Sequence, residues 1–315
     1  PSTLPRTISS PANSQPSKTG PGWQLVKMLT AHQSWVMTVA WNPKRPTLVS
    51  GGLDDTIRVW NWQTGQVLYT LAGHDRGVNN VAIGTGGQVL ASCGDDAAVR
   101  VWNLSDGTLL HTLKGHLRDV TAVAIGSQGF LLASGSKDGT IKLWSLDKGN
   151  LIKTLSGSAG MIKTVALAAK DDVLISGGLD NTVRLWNPQT AANLRVLTGH
   201  TNTVNQVAVS PDDSLIASAS KDRTIRLWDL ATGNLVQTLQ GHMQEVNAVA
   251  FFPDSQRLVS GSSDGTLRIW DTSGTLQQTL TAHINPIHGV AVHSSGKLMA
   301  SASADKTIKL WQWMR

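Results

Sequence analysis

Serine, histidine and aspartate recur at fixed distances before seven tryptophans, and these are the residue types of a nucleophilic triad. Counted back from each tryptophan, position −6 is always Asp, position −10 is always Ser, and position −28 is His in all copies but the fourth, which has Ser158. The recurring residues are Trp60, Asp54, Ser50 and His32; Trp102, Asp96, Ser92 and His74; Trp144, Asp138, Ser134 and His116; Trp186, Asp180 and Ser176; Trp228, Asp222, Ser218 and His200; Trp270, Asp264, Ser260 and His242; and Trp311, Asp305, Ser301 and His283. The chemistry open to such a set is attack by a serine hydroxyl that histidine activates and aspartate orients.

The repetition of the set argues against catalysis, because an enzyme does not need one triad in every copy of a repeated unit. Metal binding meets the same objection, since the six repeated histidines lie one to a copy and are therefore far apart. The remaining three, His111, His288 and His293, have no metal-ligand spacing. We therefore expect no catalytic residue, no metal and no cofactor, and assign the repeated side chains a structural role.

The tryptophans recur every 42 residues, with 41 between Trp270 and Trp311, so the chain is one unit copied seven times. A fixed period of this length is typical of propellers and solenoids. The third unit shows four short apolar stretches, at 120–125, 131–134, 140–144 and 150–155, separated by turn residues. Four antiparallel strands in each of seven units predict an all-β, seven-bladed propeller. A single Glu in 315 residues fits a fold with almost no helix.

The two ends of the chain predict how the ring closes. After Trp311 only four residues remain, so the last unit lacks its fourth strand. Residues 23–29 stand before Ala31-His32 as 65–71 stand before Gly73-His74, so we expect them to complete the C-terminal blade. Residues 1–22 contain five of the 11 prolines among Ser, Thr, Asn and Gln, which predicts a disordered tail or linker before a single propeller at 23–315.

The Gly-His pair, the Asp-containing turn and the Trp-Asp or Trp-Asn ending resemble WD40 repeats, in seven copies over about residues 22–315. The resemblance implies that Trp, Ser, His and Asp of each unit are linked by hydrogen bonds. Each of these groups costs about 1–3 kcal/mol if it is buried without a partner. We therefore expect His74→Ala to cost about that much stability, Ser158→Ala to cost less, and the fourth unit to be the weakest.

In WD40 propellers, partners commonly meet the face formed by the loops that carry the His and the Asp, which we call the top face. The family's contact positions fall three and five residues after the His and one before the Asp. Transferred to this sequence, they give the candidate partner-binding residues Trp35, Met37, Leu53, Lys137, Met161, Lys163, Leu179, Lys221, Glu245 and His288.

Two groups among these candidates differ from a plain polar surface. Trp35, Met37 and Leu53 form an apolar group in the first unit, with His288 of the seventh expected beside it, and such clusters mark interaction sites. The lysines around Met161 and Leu179 suit an acidic or amphipathic peptide. Alternatively, Trp35 covers a neighbouring loop and Met161 fills the space left by the missing histidine.

Composition narrows the function further. The net charge is +6, but each unit carries Arg or Lys two residues before its Trp, so seven of the 27 basic residues belong to the framework. The single cysteine, Cys93, excludes an intrachain disulfide, and no apolar run approaches the length of a membrane span. We expect a monomeric, cytoplasmic, non-catalytic scaffold that binds a protein or peptide, either as a protein of its own or as the interaction module of a larger regulatory protein. The alternatives are anionic-ligand or nucleic-acid binding through top-face lysines, and a hydrolase at the channel mouth.

Overall fold

A computed structural model describes residues 21–315 of the chain. Every regular element in this part is a β-strand, and the 28 strands form seven four-stranded antiparallel sheets. The all-β seven-bladed propeller is therefore confirmed. Residues 1–20, which hold nearly all of the expected tail, lie outside the described residues.

Each blade has an innermost, a second, a third and an outermost strand, and the blades are numbered by the order of their innermost strands. The innermost strands are β2 (Val36–Trp41), β6 (Val78–Ile83), β10 (Val120–Ile125), β14 (Ile162–Leu167), β18 (Val204–Val209), β22 (Val246–Phe251) and β26 (Ile287–Val292). The second strands are β3 (Thr47–Gly52), β7 (Val89–Gly94), β11 (Leu131–Ser136), β15 (Leu174–Gly178), β19 (Leu215–Ser220), β23 (Arg257–Ser262) and β27 (Leu298–Ser303).

The third and outermost strands complete the blades. The third strands are β4 (Thr56–Asn61), β8 (Ala98–Asn103), β12 (Ile141–Ser145), β16 (Val183–Trp186), β20 (Ile225–Asp229), β24 (Thr266–Asp271) and β28 (Thr307–Met314). The outermost strands are β5 (Gln66–Ala72), β9 (Leu109–Lys114), β13 (Leu151–Leu155), β17 (Asn193–Leu197), β21 (Leu235–Leu239), β25 (Leu276–Thr281) and, for blade 7, β1 (Gly22–Thr30).

The hydrophobic core is a ring of clusters, each shared by two adjacent blades. In one cluster, Val49 and Ile57 of blade 1 pack with Val78, Leu90 and Trp102 of blade 2. Neighbouring blades cover both faces of the second strands, which are therefore almost wholly buried. The outermost strands lie at the rim of the ring and are mostly exposed. Each blade depends on the next for its core, as repeat units that cannot fold alone require.

The ring closes through the N-terminal strand, as the sequence predicts. Strand β1 pairs antiparallel with β28, from Gly22 opposite Met314 to Thr30 opposite Thr307. Trp23 and Leu29 of β1 are each only 3% exposed, so the strand also contributes to the core. The closure covers the edge of β28, which would otherwise be open to pairing with another chain.

Every innermost strand contains a β-bulge at the same place. In blade 1, Val36 pairs with Gly52 and Thr38 with Gly51, which leaves Met37 unpaired between them. The same shift occurs in the other six blades. A bulge redirects the side chain of the extra residue. The bulged residues are Met37, Asn79, Thr121, Lys163, Asn205, Asn247 and His288, each five positions after the repeated His or its Ser158 counterpart.

Candidate functional site

The repeated Trp, Ser, His and Asp are joined by hydrogen bonds inside each blade. In blade 5, Trp228 Nε1 donates to Ser218 Oγ at 2.8 Å, His200 Nε2 lies 2.8 Å from Ser218 Oγ, and His200 Nδ1 lies 2.7 Å from Asp222 Oδ2. The corresponding contacts in blades 1, 2, 3, 6 and 7 span 2.7 to 3.1 Å.

When the histidine is neutral, the contacts form a chain of hydrogen bonds in which each group donates to the next, from Trp to Asp. Trp N–H donates to Ser Oγ, Ser O–H donates to His Nε2, and His Nδ1–H donates to the Asp carboxylate; the tautomer follows from this pattern. Burial lowers the pKa of His116, His242 and His283, which favours the neutral form. Burial alone would raise the pKa of Asp138, but hydrogen bonds from Thr140, the Leu117 backbone and His116 hold it at about 2.

This geometry leaves the serines unsuited to nucleophilic attack. All seven are at most 1% exposed, and each Oγ accepts the N–H of its tryptophan. A nucleophile must be reached by the substrate, and these hydroxyls are enclosed between blades. The repeated set therefore holds the loops in place.

Blade 4 replaces part of this network. Ser158 Oγ donates to Asp180 Oδ2 at 3.3 Å, a long hydrogen bond. Arg184 compensates, since its Nε and Nη2 donate to the same oxygen at 3.2 and 3.0 Å. Ser176 keeps the bond from Trp186 at 2.8 Å but has no histidine beside it. The carboxylate is thus held by an arginine without a histidine, whereas Asp96 of blade 2 is held by both Arg100 and His74.

The bulged residues surround the mouth of the central channel on the top face. A cavity of about 470 Å³ opens there, and all seven bulged side chains line it. Four of them also tie neighbouring blades together, each donating to the backbone carbonyl of the first residue of the next innermost strand. These inter-blade bonds are Asn79 to Val120 at 3.0 Å, Thr121 to Ile162 at 2.7 Å, Asn205 to Val246 at 3.0 Å and Asn247 to Ile287 at 2.9 Å.

The other three bulged residues, Met37, Lys163 and His288, make no such bond among the described residues. His288 Nε2 is buried without a hydrogen-bond partner in this part of the chain. Burial and the charge of Lys163 lower the pKa of His288, which keeps its imidazole neutral. The side chain of Lys163 is reached by solvent in the channel, but the surrounding protein partly desolvates its ammonium. This desolvation, together with the positive charge of Lys137, lowers the pKa of Lys163.

Six of the candidate partner-binding residues line this one cavity, namely Trp35, Met37, Leu53, Lys137, Lys163 and His288. Trp35 is 48% exposed and stacks on His288, with ring centroids 5.5 Å apart. Leu53 is half-buried and packs over Gly77 of blade 2. The remaining four, Met161, Leu179, Lys221 and Glu245, lie outside the cavity lining.

Two of the top-face lysines are already paired. Lys137 Nζ lies 2.5 Å from Asp119 Oδ2, and Lys221 Nζ lies 2.9 Å from Glu245 Oε1. The expectation that three lysines offer a common positive surface is therefore reduced to one unpaired ammonium, that of Lys163, in this part of the described chain. Long-range attraction of a polyanion needs several unpaired charges.

Sequence reasoning missed further apolar side chains on this face. Ile284, Leu117 and Met243 directly follow a repeated histidine and are 90%, 87% and 74% exposed. Ile284 and Met243 belong to blades 7 and 6, so with Trp35 of blade 1 they extend the apolar sector across three adjacent blades. The signal was present in the sequence, since the same position is polar or small in the other four units.

The described residues 21–315 contain no group of three or more His, Cys, Asp or Glu side chains arranged to hold a metal ion. No helix able to cross a membrane occurs among them either.

Comparison with curated proteins gives short matches. A stretch of 49 residues is 35% identical to pre-mRNA-splicing factor PRP46 of Yarrowia lipolytica, covering 16% of this chain and 11% of that protein. A stretch of 51 residues is 37% identical to pre-mRNA-splicing factor prp46 of Aspergillus fumigatus, covering 16% and 11%. A stretch of 65 residues is 35% identical to nuclear distribution protein PAC1-1 of Uncinocarpus reesii, covering 21% and 15%. Set against a repeat of 42 residues, the stretches span between about one and about one and a half repeats.

The family comparison covers the whole ring. The family model described as "WD domain, G-beta repeat" matches residues 23–61, 65–103, 107–145, 149–187, 192–229, 233–271 and 274–312. Each matched unit begins with the outermost strand of one blade and ends with the third strand of the next, because the first unit begins with β1. With seven matched repeats and seven blades, this chain belongs to the WD40-repeat family.

Proposed function

We propose that this chain is a non-catalytic scaffold that binds a protein or peptide over the channel mouth of its top face. One observation carries the proposal: exposed Trp35, with Met37, Leu53 and His288, forms an apolar wall of a cavity of about 470 Å³. Exposed aromatic side chains beside a pocket are typical anchors of protein interfaces. The polar rim around them supplies hydrogen-bonding groups of the kind that surround such anchors.

A hydrolase at the channel mouth is less favoured. Among the described residues that line the cavity, Asp95 is the one carboxylate, and Asn79 donates to it at 2.8 Å. General acid–base hydrolysis by carboxylates uses a pair of them. No carboxylate of the described residues is hydrogen-bonded to His288, whose ring stacks on Trp35.

The test is affinity capture from a lysate of the source organism, with wild type compared with Trp35→Ala. The matched control is Phe130→Ala, because Phe130 is 69% exposed in the loop between β10 and β11, which lies on the opposite face. A protein retained by wild type and by Phe130→Ala but lost by Trp35→Ala supports the proposal. Equal retention by all three would place the contact elsewhere on the ring.

The compartment stays a prediction. The relatives' names refer to pre-mRNA splicing and to nuclear distribution, whereas the sequence led us to expect a cytoplasmic chain. Their matched stretches cover 11–15% of each relative's length, so they do not transfer a role. A fluorescent fusion would test the compartment.

A further inference from the structure

Among the described residues that line the channel-mouth cavity, Lys163 is the one cationic side chain without an ion pair. Lys163 is the bulged residue of blade 4, and its side chain lines the cavity. The nearby Lys137 forms an ion pair with Asp119, and Lys221 forms one with Glu245. No carboxylate of the described residues lies within 4.0 Å of the Lys163 ammonium. Asp95, which lines the same cavity, and Glu245 attract this charge from farther away, but neither forms an ion pair with it, so the ammonium can still donate to a ligand.

The opposite wall of the mouth is apolar. Met37 and His288 belong to blades 1 and 7, which lie across the ring from blade 4, and Trp35 covers His288. Between these two walls stand Asn79, Thr121, Asn205 and Asn247, whose donors are engaged in inter-blade bonds. A ligand that spans the mouth thus meets a cation on one side and an aromatic surface on the other.

This arrangement selects the chemistry of a partner. We infer that the top face recognises a peptide segment of a partner protein that places an Asp or Glu side chain on Lys163 and an aromatic or aliphatic side chain on Trp35. The inference rests on the proposed function and adds the class of segment bound. A carboxylate supplies the partner that Lys163 lacks, and a basic segment would be repelled by it.

The size of the cavity and the number of unpaired charges favour a peptide over a nucleic acid. A volume of about 470 Å³ is in the range of clefts that hold a few side chains. Nucleic-acid binding relies on several basic residues that neutralise successive phosphates. Among the described residues that line the cavity, Lys163 is the one unpaired cation. The exposed Arg76, Arg118, Arg223 and Lys306 of the surrounding loops lie outside that lining.

The test is selection of displayed random 12-residue peptides on the full chain, with their C-termini fused so that only side-chain carboxylates can be enriched. Five proteins are compared: wild type, Lys163→Met, Lys163→Glu, Trp35→Ala and the control Lys297→Met. Lys297 is an exposed lysine in the loop between β26 and β27, on the face opposite the mouth. Thermal denaturation first verifies that each variant is folded.

We expect wild type and Lys297→Met to select peptides with an acidic residue near an apolar one. Lys163→Met should lose the acidic preference, and Lys163→Glu should select basic residues at that position. A synthetic peptide from the wild-type selection should bind Lys163→Met about 10- to 100-fold more weakly, as loss of a charge-assisted hydrogen bond predicts.

The outcomes separate this inference from the proposed function. Peptides that depend on Trp35 but show no acidic preference, or that bind Lys163→Met as tightly as wild type, would overturn the inference and leave the scaffold proposal standing. If wild type selects no peptide that Trp35→Ala fails to bind, both are contradicted.

Discussion

Trp35 of blade 1 stacks on His288 of blade 7, with the ring planes inclined by 24°. The contact crosses the border between the first and last blades of the chain. The bulged position that His288 occupies in blade 7 is an asparagine in blades 2, 5 and 6. Each of these asparagines donates a hydrogen bond to a backbone carbonyl of the next blade. At this border an aromatic contact therefore stands where those blades have a hydrogen bond.

The stack should be measurable as a coupling energy. In a double-mutant cycle of Trp35→Ala and His288→Ala, we expect the two losses of unfolding free energy to be non-additive by about 0.5–1.5 kcal/mol, the usual value for a pair of aromatic rings. Urea denaturation at pH 7.5 measures it. The control cycle pairs Trp35→Ala with Asn205→Ala, since Asn205 lies in blade 5 and should show no coupling. Additive losses in the first cycle would mean that the stack contributes nothing.

The hydrogen-bond network predicts unequal costs for two substitutions at equivalent positions. His74→Ala removes the contacts to Ser92 and Asp96 at 2.8 and 3.0 Å, leaving the buried Ser92 hydroxyl without its acceptor, and should cost about 1–3 kcal/mol. Ser158→Ala removes one hydrogen bond of 3.3 Å, and Arg184 still holds Asp180, so its cost should be well under about 1 kcal/mol.

Chemical denaturation of wild type and the two variants checks this pair. Ser158→His is a further arm, because it would supply Ser176 with the acceptor that blade 4 lacks, and it should raise the free energy of unfolding. Equal losses for His74→Ala and Ser158→Ala would show that the network does not set the stability of the blades.

The sequence predicted the features that are local and repeated. The 42-residue spacing, the four strands of each unit and the pairing of the N-terminal strand with the last blade all follow from patterns within one unit. The resemblance to WD40 repeats likewise implied that the side chains of Trp60, Ser50, His32 and Asp54 meet. Periodicity is informative here because the same pattern recurs in all seven units, so an interpretation of one unit can be checked against the other six.

The sequence did not predict features that depend on side-chain geometry between loops. Nothing in the pattern showed that a bulge would turn Lys163 into the channel, or that Asp119 would pair with Lys137. The residue after each repeated Asp has a positive φ. Gly139 and Gly265 adopt this conformation without steric cost, whereas Ala97, at φ 59°, adopts it against the steric repulsion of its Cβ. Only the folded ring enforces that conformation.

Ring closure predicts different effects for two truncations. Removing residues 1–29 should lower the stability of the ring sharply, because it takes away buried Trp23 and Leu29 and exposes the edge of β28. Removing residues 1–20 leaves β1 complete and should leave the melting temperature unchanged. Circular dichroism melts and size-exclusion chromatography measure both. Equal melting temperatures for the two truncations would mean that β1 is dispensable.

The neutral histidines and ionised aspartates together predict that the ring is destabilised by acid. Burial holds the pKa of His116, His242 and His283 below the usual 6.5, so the unfolded chain binds more protons there and stability falls as the pH drops below about 6.5. Asp138 and Asp264 have a pKa of about 2 in the folded chain, against a usual 3.8. Their contribution, complete above that usual value, is lost between about pH 4 and pH 2.

Urea denaturation at intervals from pH 8 to pH 3 tests this dependence. We expect the free energy of unfolding to fall in two steps, the first below about pH 6.5 and the second below about pH 4. The variant His242→Gln removes one titrating group, so its first step should be smaller than that of wild type, with the second retained. A free energy of unfolding that increases as the pH is lowered from 7 to 5 would contradict the assignment, because it would require histidines that gain protons on folding.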